Sequence, residues 1–319
     1  MIVTITPAPA IDWTIAVDSF ELDAVNRIVS GSREPSGKGL NVSWALHRVG
    51  KATKAVFPAG GASGDLMRET LAEAGLPHVI IDTGRDVRTN ITLVSPGHST
   101  KLNEAGTYLD EEQVAQFRAA IIEACRDAEV ALVCGSLPPG VSDSFQSEVV
   151  ADLLEIGVPT IVDTFGSPLE KALPAGPELI KPNVHELADL VGQRIGTLGE
   201  VETAAREAIR RGAKAVLASL GADGSLLVTA DEALFGHAHD IPFVNSVGAG
   251  DALLSGYVGG GPENVDRLRN AILWASSAVA HATTLFPIRE DFNERIEITA
   301  SFDRAQALAE PSLALVYTK

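Results

Sequence analysis

Short apolar runs alternate with amphipathic segments along most of this 319-residue chain, and this alternation limits the possible folds more than any other feature. The apolar runs each end near Gly, Ser, Pro or Asp, and they are Ala55–Pro58, Val130–Cys134, Thr160–Asp163 and Ala215–Ser219. Helical spacing of apolar residues predicts helices at Leu40–Val49, Asp65–Ala74, Glu111–Ala124, Asp143–Ile156, Val184–Val191 and Glu200–Arg211. Short buried strands joined by such helices form right-handed βαβ units and a parallel sheet. The predicted fold class is α/β, with a Rossmann-like parallel sheet between two helical layers.

Two stretches, about 12–33 and 88–108, interrupt this pattern with alternating β-branched residues and no helix. Trp13–Val17 and Thr89–Val94 show the alternation best. Together the two stretches predict a small antiparallel sheet, which could be an edge hairpin or a β lid over a substrate pocket. The chain has no linker-like or repetitive segment, so we expect one domain over residues 1–319.

The composition narrows the choice of partners. A formal net charge of −17 repels nucleic acid and anionic membranes, so neither is expected as a partner. No apolar run is long enough to span a bilayer, and the start of the chain lacks the pattern of a signal peptide. Cys125 and Cys134 do not form a CxxC pair, and two buried thiols would fit a reducing compartment. We therefore expect a cytoplasmic protein that binds any phosphate through a few local groups, such as backbone amides, Lys or Arg side chains, or a metal ion.

The segment Asn245–Gly256 offers backbone amides that could bind a phosphate. Gly248 and Gly250 flank Ala249, and Asp251 then begins an apolar helical pattern. Glycines at a helix start let backbone N–H groups converge on an anion. A carboxylate beside an anion site suits a general base that takes a proton from an attacking hydroxyl. The alternative is that Asp251 only caps the helix after a glycine-rich turn.

Three further glycine-bearing loops follow predicted strands: Pro35–Val42, Gly60–Asp65 and Gly135–Gly140. The first of them adds Lys38 and, in the first helical turn, Asn41. Because the carboxyl ends of parallel strands lie on one edge of a sheet, these loops predict one shared cleft. Each loop could also be only a turn, with Lys38 in solvent.

Lys181–Glu186 follows another strand-like run. Asn183 is suited to cap the next helix, and Glu186 would lie one turn inside it. A carboxylate there can hold the water shell of Mg²⁺, which uses few protein ligands. The competing interpretation is a capping box between Asn183 and Glu186. Ser219–Gly224 is typical of a turn between two strands.

Taken in order, these segments resemble the ribokinase/PfkB superfamily of carbohydrate kinases. The matching motifs are Ser36–Val42, Gly135–Gly140, Lys181–Asn183 with Glu186, Ser219–Gly221 with Gly224, and Val247–Asp251. Within the superfamily, the chain is similar to the branch of 1-phosphofructokinase and tagatose-6-phosphate kinase. The stretches that carry this similarity are Thr6–Asp12, Thr100–Gly106 and the two prolines at 138 and 139.

The resemblance implies roles for individual residues and two cofactors, ATP and Mg²⁺. Asp251 would be the catalytic base, and Gly248, Ala249 and Gly250 would form the anion hole. The sugar side would be formed by Asp12, Gly37, Lys38, Gly39, Asn41, Asn103 and Ser136. The nucleotide and Mg²⁺ side would be formed by Lys181, Asn183, Glu186, Ser219, Gly221, Asp223 and Gly224, with Glu186 holding Mg²⁺ through water. Members of the superfamily are usually dimeric, so a homodimer through the lid is expected.

A phosphorylated sugar needs cations at the far end of its pocket. Arg27 and Arg88 fall in the two lid stretches and match positions that bind the sugar phosphate in phosphofructokinase-type members. The expected activity is ATP-dependent phosphorylation of a hydroxyl of fructose 1-phosphate, tagatose 6-phosphate or fructose 6-phosphate. Two alternatives are a kinase for an unphosphorylated sugar or nucleoside, and a non-catalytic sugar-phosphate-binding protein. A separate alternative is that the two arginines are ordinary solvated surface residues.

Three positions depart from the usual pattern of this branch. Ser36 stands where the branch usually has Gly, and it adds a Cβ beside the sugar. Phe165 replaces a small residue after the strand Thr160–Asp163. The adenine-side stretch 282–287 lacks the usual small residues and glycine. These departures bear on the choice of sugar and of nucleotide donor.

Overall fold

The computed structural model describes residues 1–281 and 286–312. Its strands are β1 (Ile2–Ile5), β2 (Ala10–Ala16), β3 (Ser30–Ser36), β4 (Thr53–Gly60), β5 (His78–Asp86), β6 (Arg88–Ser95), β7 (His98–Asn103), β8 (Val130–Cys134), β9 (Thr160–Asp163), β10 (Leu179–Ile180), β11 (Ile195–Thr197), β12 (Val216–Ser219), β13 (Ser225–Val228), β14 (Ala233–Ala238), β15 (Ile296–Thr299) and β16 (Ala307–Ser312). Its α-helices are α1 (Lys38–Arg48), α2 (Gly61–Glu73), α3 (Glu111–Cys125), α4 (Phe145–Glu155), α5 (Ser167–Ala172), α6 (Val184–Val191), α7 (Leu198–Arg210), α8 (Ala249–Gly259) and α9 (Asn264–Val279).

The main sheet has the strand order β15-β14-β13-β12-β10-β9-β8-β1-β4-β5. Strands from β12 to β5 pair in parallel, and β13, β14 and β15 extend the sheet as antiparallel strands. The predicted α/β class with a large parallel sheet is therefore confirmed. Two strands, β8 and β9, have the predicted bounds, and α6 does as well.

Helices cover both faces of the main sheet. In β1, Ile2 packs in one apolar cluster with α1, α8 and α9, while Val3 and Ile5 pack in another with α3 and α4. Neighbouring residues of β8 divide in the same way, with Leu132 on one face and Val133 on the other. Since successive residues of a strand point to opposite faces, a strand covered on both sides becomes a continuous apolar run. This explains why the buried strands were visible in the sequence. Both cysteines are buried, as expected.

A second sheet, with the order β3-β2-β6-β7, corresponds to the predicted small sheet, and we call it the lid. Its two hairpins, β2·β3 and β6·β7, are antiparallel, as predicted, and a parallel pair of β2 with β6 joins them. Residues 17–29, which the prediction included in the lid strands, instead form the connection between β2 and β3. A short third sheet pairs β11 with β16.

None of the helices within residues 1–281 and 286–312 combines the length and the apolar character that crossing a membrane requires.

Candidate active site

The carboxyl ends of the parallel strands place polar residues along one edge of the main sheet. Gly135 directly follows β8, Asp163 ends β9, Lys181 follows β10 and Ser219 ends β12. Helix α1 begins at the same edge, just after the lid strand β3. The loops that were predicted to share a cleft are thus on a common side of the sheet, as the topology of parallel strands requires.

A buried ion-pair group lies at this edge. Lys38 Nζ donates a hydrogen bond to Asp163 Oδ1 over 3.0 Å, and Lys181 Nζ lies 3.4 Å from Asp163 Oδ2. The side chains of Asp163 and Lys181 are only 1% and 5% exposed. Burial lowers the pKa of Lys38, but the carboxylates of Asp163, Asp251 and Glu186 raise it by more, so Lys38 stays charged. We call Lys38, Asp163, Lys181 and Asp251 the strand-end cluster.

Asp251 lies in the first turn of α8 and does not cap the helix. The cap position is Gly248, with φ 78°, and no side chain caps this helix terminus. Instead, Asp251 Oδ2 accepts a hydrogen bond of 2.8 Å from Asn41 Nδ2 in the first turn of α1. The capping interpretation of Asp251 is therefore wrong. Its carboxylate is held between two helix starts, facing the lysines of the strand-end cluster.

The surroundings raise the pKa of Asp251 from an ordinary value of 3.8 to about 6. Burial is the main cause, and the neighbouring carboxylate of Asp163 adds to it. Lys38, the hydrogen bond from Asn41 and Lys181 act in the opposite direction. A carboxylate with a pKa near 6 is ionised at neutral pH and is basic enough to accept a proton from a reacting hydroxyl.

The start of α8 offers amide groups to an anion. Ala249 N–H donates to Ser246 O over 3.3 Å, but the N–H groups of Gly250 and Asp251 have no acceptor in the described part of the chain. A Cβ atom on Gly250 would lie 3.5 Å from Lys181 Nζ, so the lysine ammonium stands directly beside these amides. Free amides, the positive end of the helix dipole and an adjacent cation together favour a bound phosphate.

Gly37 and Gly39 allow α1 to start close to the end of β1. Gly37 has φ 135°, and a Cβ there would lie 2.6 Å from Thr6 Cγ2. A Cβ on Gly39 would lie 2.7 Å from Thr6 Oγ1 and 2.9 Å from Ile5 O. Neither position can take a larger residue without moving α1, and α1 carries Lys38 and Asn41 into the cleft. These two glycines thus position the site by close packing.

The lid contributes a hydrogen-bonded group that joins the strand-end cluster. Asp12 Oδ1 accepts from Asn90 Nδ2 over 2.9 Å, and Asp12 Oδ2 accepts from Ser36 Oγ over 2.7 Å. Ser36 Oγ also lies 3.2 Å from Asn41 Oδ1. A continuous chain of polar contacts therefore runs from the lid through Asn41 to Asp251. We call Asp12, Ser36, Asn90 and Arg88 the lid cluster.

The two lid arginines lie in different surroundings. Arg88 is half-buried, its Nη2 donates to Ala8 O over 3.0 Å, and its buried Nε has no partner among the residues the structure describes. Burial lowers the pKa of Arg88, and the nearby Asp12 carboxylate opposes this shift. Arg27, which was expected in the lid stretch 12–33, is exposed in the connection between β2 and β3. The structure brings Arg88 close to Asp12.

Two other residues expected on the sugar side lie at its margins. Asn103 ends β7, is exposed, and pairs across the sheet with Asn90. Ser136 is half-buried in the loop after β8, next to Gly135, whose added Cβ would lie 3.8 Å from Lys38 Cβ.

Asn183 and Glu186 form the capping box that was the competing interpretation. Asn183 Oδ1 accepts from Glu186 N–H, and Glu186 Oε2 accepts from Asn183 N–H, each over 2.9 Å. The second carboxylate oxygen of Glu186 has no hydrogen-bond partner within residues 1–281 and 286–312. Glu186 also lies close enough to Lys38 to raise its pKa. One free carboxylate oxygen at the cleft fits a Mg²⁺ ion that keeps most of its water ligands.

Ser219–Gly224 joins the antiparallel strands β12 and β13, as predicted. Gly221 and Gly224 have φ 61° and 109°, and Ser219 N–H donates to Pro182 O over 3.0 Å. Asp223 Oδ2 accepts from Ala309 N–H over 2.8 Å, so this carboxylate anchors β16. Residues 282–285 of the adenine-side stretch lie outside the described residues.

One predicted anion loop is closed by the protein itself. Asp86, at the end of β5, accepts hydrogen bonds through Oδ1 from Ser63 N–H over 2.9 Å and from Ser63 Oγ over 3.0 Å. These bonds lower the pKa of Asp86, so its negative charge occupies the start of α2. The loop Gly60–Asp65 is thus a strand-to-helix junction filled by a carboxylate, whereas the start of α8 is open.

Asp163 and Asn90 are functional residues that were not predicted from the sequence. Asp163 had one available signal, because a carboxylate that ends a fully apolar strand must find a buried cation. Asn90 had none, because its partner Asp12 lies on another strand of the lid and only the parallel pairing of β2 with β6 brings them together.

Comparison with known proteins agrees with this geometry. Residues 2–286 match the protein family described as "pfkB family carbohydrate kinase". The chain is 35% identical to a 1-phosphofructokinase of Haloferax volcanii over 308 residues, which cover 94% of this chain and 98% of that protein. It is 29% identical to a tagatose-6-phosphate kinase of Staphylococcus epidermidis over 263 residues, 82% of this chain and 85% of that protein.

Among solved structures, phosphofructokinase-2 from Escherichia coli in complex with fructose-6-phosphate is similar, with a TM-score of 0.81 and 28% identity. The match covers 87% of this chain and 93% of that chain. The family match extends over almost the whole chain, and the cleft has a carboxylate beside open helix amides. This chain therefore belongs to the pfkB family of carbohydrate kinases and is a phosphotransferase with an alcohol group as acceptor.

Proposed function

We propose that this chain phosphorylates a hydroxyl of a phosphorylated ketohexose with ATP, and that Asp251 is the general base. The candidate substrates are fructose 1-phosphate, tagatose 6-phosphate and fructose 6-phosphate, which are the substrate classes of the named relatives and of the ligand in the solved neighbour. The observation that carries the proposal is the position of Asp251, whose pKa is about 6, beside the open amides of α8 and Lys181 Nζ.

In the proposed reaction, the sugar hydroxyl gives its proton to the Asp251 carboxylate. Its oxygen forms a bond to the γ-phosphorus of ATP as the bond from that phosphorus to the bridging oxygen of ADP breaks. The hydrogen bond from Asn41 orients Asp251. The amides at the start of α8 and the Lys181 ammonium stabilise negative charge on the transferred group.

On the nucleotide side, Asn183, Glu186 and the loop Ser219–Gly224 follow adjacent strands on the same edge of the sheet. We assign the nucleotide to this side because Lys181, which stands beside the start of α8, leads directly into Asn183 and Glu186. Glu186 would hold Mg²⁺ through water, and the bound ion would supply positive charge to the phosphate oxygens.

On the sugar side, Asp12, Asn41 and the loop around Gly37 supply hydrogen-bonding groups for sugar hydroxyls. Arg88 supports a substrate that already carries a phosphate, since it is a half-buried cation whose Nε has no partner within residues 1–281 and 286–312. Arg27, in contrast, is exposed and gives this assignment no support in its observed position. A kinase for an unphosphorylated sugar or nucleoside is therefore the second candidate function.

The test is an assay of ADP release over a panel of fructose and tagatose phosphates together with the unphosphorylated sugars. With the best substrate, Asp251→Asn should lower kcat by about 10²–10⁴-fold, because the amide keeps the size of the side chain but cannot accept the proton. Unchanged turnover in this variant would remove Asp251 as the base. Release of ADP only with unphosphorylated sugars would favour the second candidate, and no turnover by the native chain would favour a non-catalytic binding protein.

We also propose a cytoplasmic homodimer that forms through the lid. The exposed lid strand β7 and the connection between β2 and β3 support this interface, since the latter exposes Phe20, Leu22, Val25 and Ile28. Large exposed apolar side chains grouped on one element often mark a protein interface. The mass of the chain in solution, measured for the native protein and for a Leu22→Asp, Val25→Asp double variant, tests the assembly. A dimer that persists unchanged in the double variant would place the interface elsewhere.

A further inference from the structure

Two histidines and a glutamate meet near one edge of the main sheet, away from the proposed catalytic residues. His237 lies in β14, and His239 follows two residues later, so both side chains point to the same face. The next strand, β15, is the last of the main sheet, and it places Glu297 directly opposite His237. His239 N–H donates to Arg295 O over 3.0 Å, which continues the pairing of the two strands beyond β14.

The three side chains bring their donor atoms close together. One ligand atom from each of His237, His239 and Glu297 lies within 4.8 Å of the other two. His239 Nε2 is 3.5 Å from Glu297 Oε1, and the rings of the two histidines are 4.2 Å apart, edge to face. A bound metal needs each donor at about 2.0–2.2 Å, which small rotations of the exposed His239 and Glu297 side chains can provide.

The position of His237 is fixed by its neighbours. Its ring stacks on Phe235, with centroids 5.4 Å apart and planes 16° apart. Its buried Nδ1 has no hydrogen-bond partner in the described part of the chain. A buried polar atom without a partner is costly, and a metal ion is a common ligand of a histidine ring.

A simple ion pair between His239 and Glu297 explains only part of this arrangement. It requires His239 to be protonated, and it leaves His237 Nδ1 without a partner. We propose that His237, His239 and Glu297 bind one divalent transition-metal ion, with water in the remaining positions. Two imidazoles and one carboxylate suit Zn²⁺ and similar ions, whereas Mg²⁺ prefers oxygen ligands alone. The site would be separate from the one proposed for Mg²⁺ at Glu186.

The experiment measures Zn²⁺ binding to the full chain by calorimetry after treatment with a chelator and without nucleotide, since ATP itself binds Zn²⁺. We expect one Zn²⁺ per chain, bound in the presence of excess Mg²⁺. His239→Ala and Glu297→Gln should each weaken this binding by about tenfold or more. His237 itself is not substituted. It packs so closely on Gly224 that a Cβ added to Gly224 would lie only 2.8 Å from His237 Cβ, so a change of His237 would disturb the loop Ser219–Gly224.

His98→Ala is the matched control, since His98 is an exposed strand histidine in the lid and has no part in the proposed site. It should bind Zn²⁺ as the native chain does. Thermal unfolding without metal checks that the variants are folded, and Zn²⁺ should raise Tm of the native chain and of His98→Ala only. Absence of Zn²⁺ binding to the native chain, or equal binding by all four proteins, would overturn the proposal. A loss in His98→Ala as large as in His239→Ala would do the same.

Discussion

The strand-end cluster and the lid cluster face the same cleft, but different interactions hold them. Asp163 and Lys181 are almost fully buried, and the apolar core of the main sheet fixes the strands that carry them. The lid cluster is half-buried and is held mainly by hydrogen bonds on a sheet whose strand β7 is exposed throughout. The charges that the reaction needs thus depend on the core. The proposed contacts to the sugar lie on the lid, where a substitution lowers the stability of the fold less.

The largest effect is expected from Asp163→Asn, which tests whether the strand-end cluster depends on the core. This change removes a carboxylate that pairs with both Lys38 and Lys181, and it leaves the buried Lys181 without this ion-pair partner. Breaking a buried ion pair from one side should lower the free energy of unfolding by about 3–5 kcal/mol. Denaturant unfolding of the native chain and the variant measures this difference.

Glu207→Gln is the matched control for that prediction. Glu207 also pairs with two cations, Arg210 and Arg211, but on the exposed face of α7. Ion pairs in solvent add little to stability, so the loss should be much smaller than in Asp163→Asn. Equal losses in the two variants would show that burial does not distinguish the strand-end cluster.

The second prediction compares the two lid arginines. Arg88→Ala should raise KM for the phosphorylated sugar by about tenfold or more, because a charge-assisted hydrogen bond contributes about 1.5–3 kcal/mol. Arg27→Ala should change KM much less, since Arg27 lies in the exposed connection between β2 and β3. Steady-state kinetics with phosphorylated and unphosphorylated sugars measures both. A similar rise in KM for both variants would mean that this connection closes over the sugar, and an equal effect of Arg88→Ala on neutral sugars would favour the second candidate function.

The third prediction concerns pH. The folded-state pKa of Asp251 is raised to about 6, and only the ionised form can accept a proton. Activity should therefore be full above this pH, and kcat/KM should fall about tenfold per pH unit below it. Asn41→Ala removes a donor that favours the ionised form, so it should move this limb of the profile to higher pH. The burial of the base would be contradicted by an acidic limb that lies near the ordinary pKa of 3.8 in the native chain, or by one that does not move in Asn41→Ala.

The difference between the strand-end cluster and the lid cluster also explains how much of the structure could be predicted from the sequence. Strands β8 and β9 are buried on both faces, so their apolar runs and the polar residues after them were visible without a structure. The capping pair Asn183 and Glu186 was also visible, because its two members stand three residues apart at a helix start. Local spacing could not show, however, whether Glu186 keeps a free carboxylate oxygen, since that depends on what surrounds the cap.

Long-range contacts were harder to predict. The exposure of Arg27 was not predicted, because an exposed connection has no packing pattern that fixes its residues. The closure of the Gly60–Asp65 loop was missed because Asp86 reaches it from a different strand. The roles of Asp163 and Asn90 likewise depend on strand pairing, which local spacing does not specify.

The smallest effect is expected at Ser36, where the two clusters meet. Its hydroxyl donates to Asp12 and lies within reach of Asn41, which in turn holds Asp251. In Ser36→Ala, Asp12 loses the hydrogen bond from Ser36, and a loss of about 1 kcal/mol corresponds to a rise in KM for the sugar of about fivefold. Ser32→Ala, an exposed position on the same strand β3, is the control and should leave KM unchanged.

The division of that effect between KM and kcat shows which cluster Ser36 serves. A change in KM alone means that Ser36 orients Asp12 for the sugar and leaves Asn41 in place. A fall in kcat, together with a shifted acidic limb of the pH profile, would mean that Ser36 acts through Asn41 on the base. That result would mean that the two clusters are not independent, because a lid residue would then set the protonation of Asp251 in the strand-end cluster.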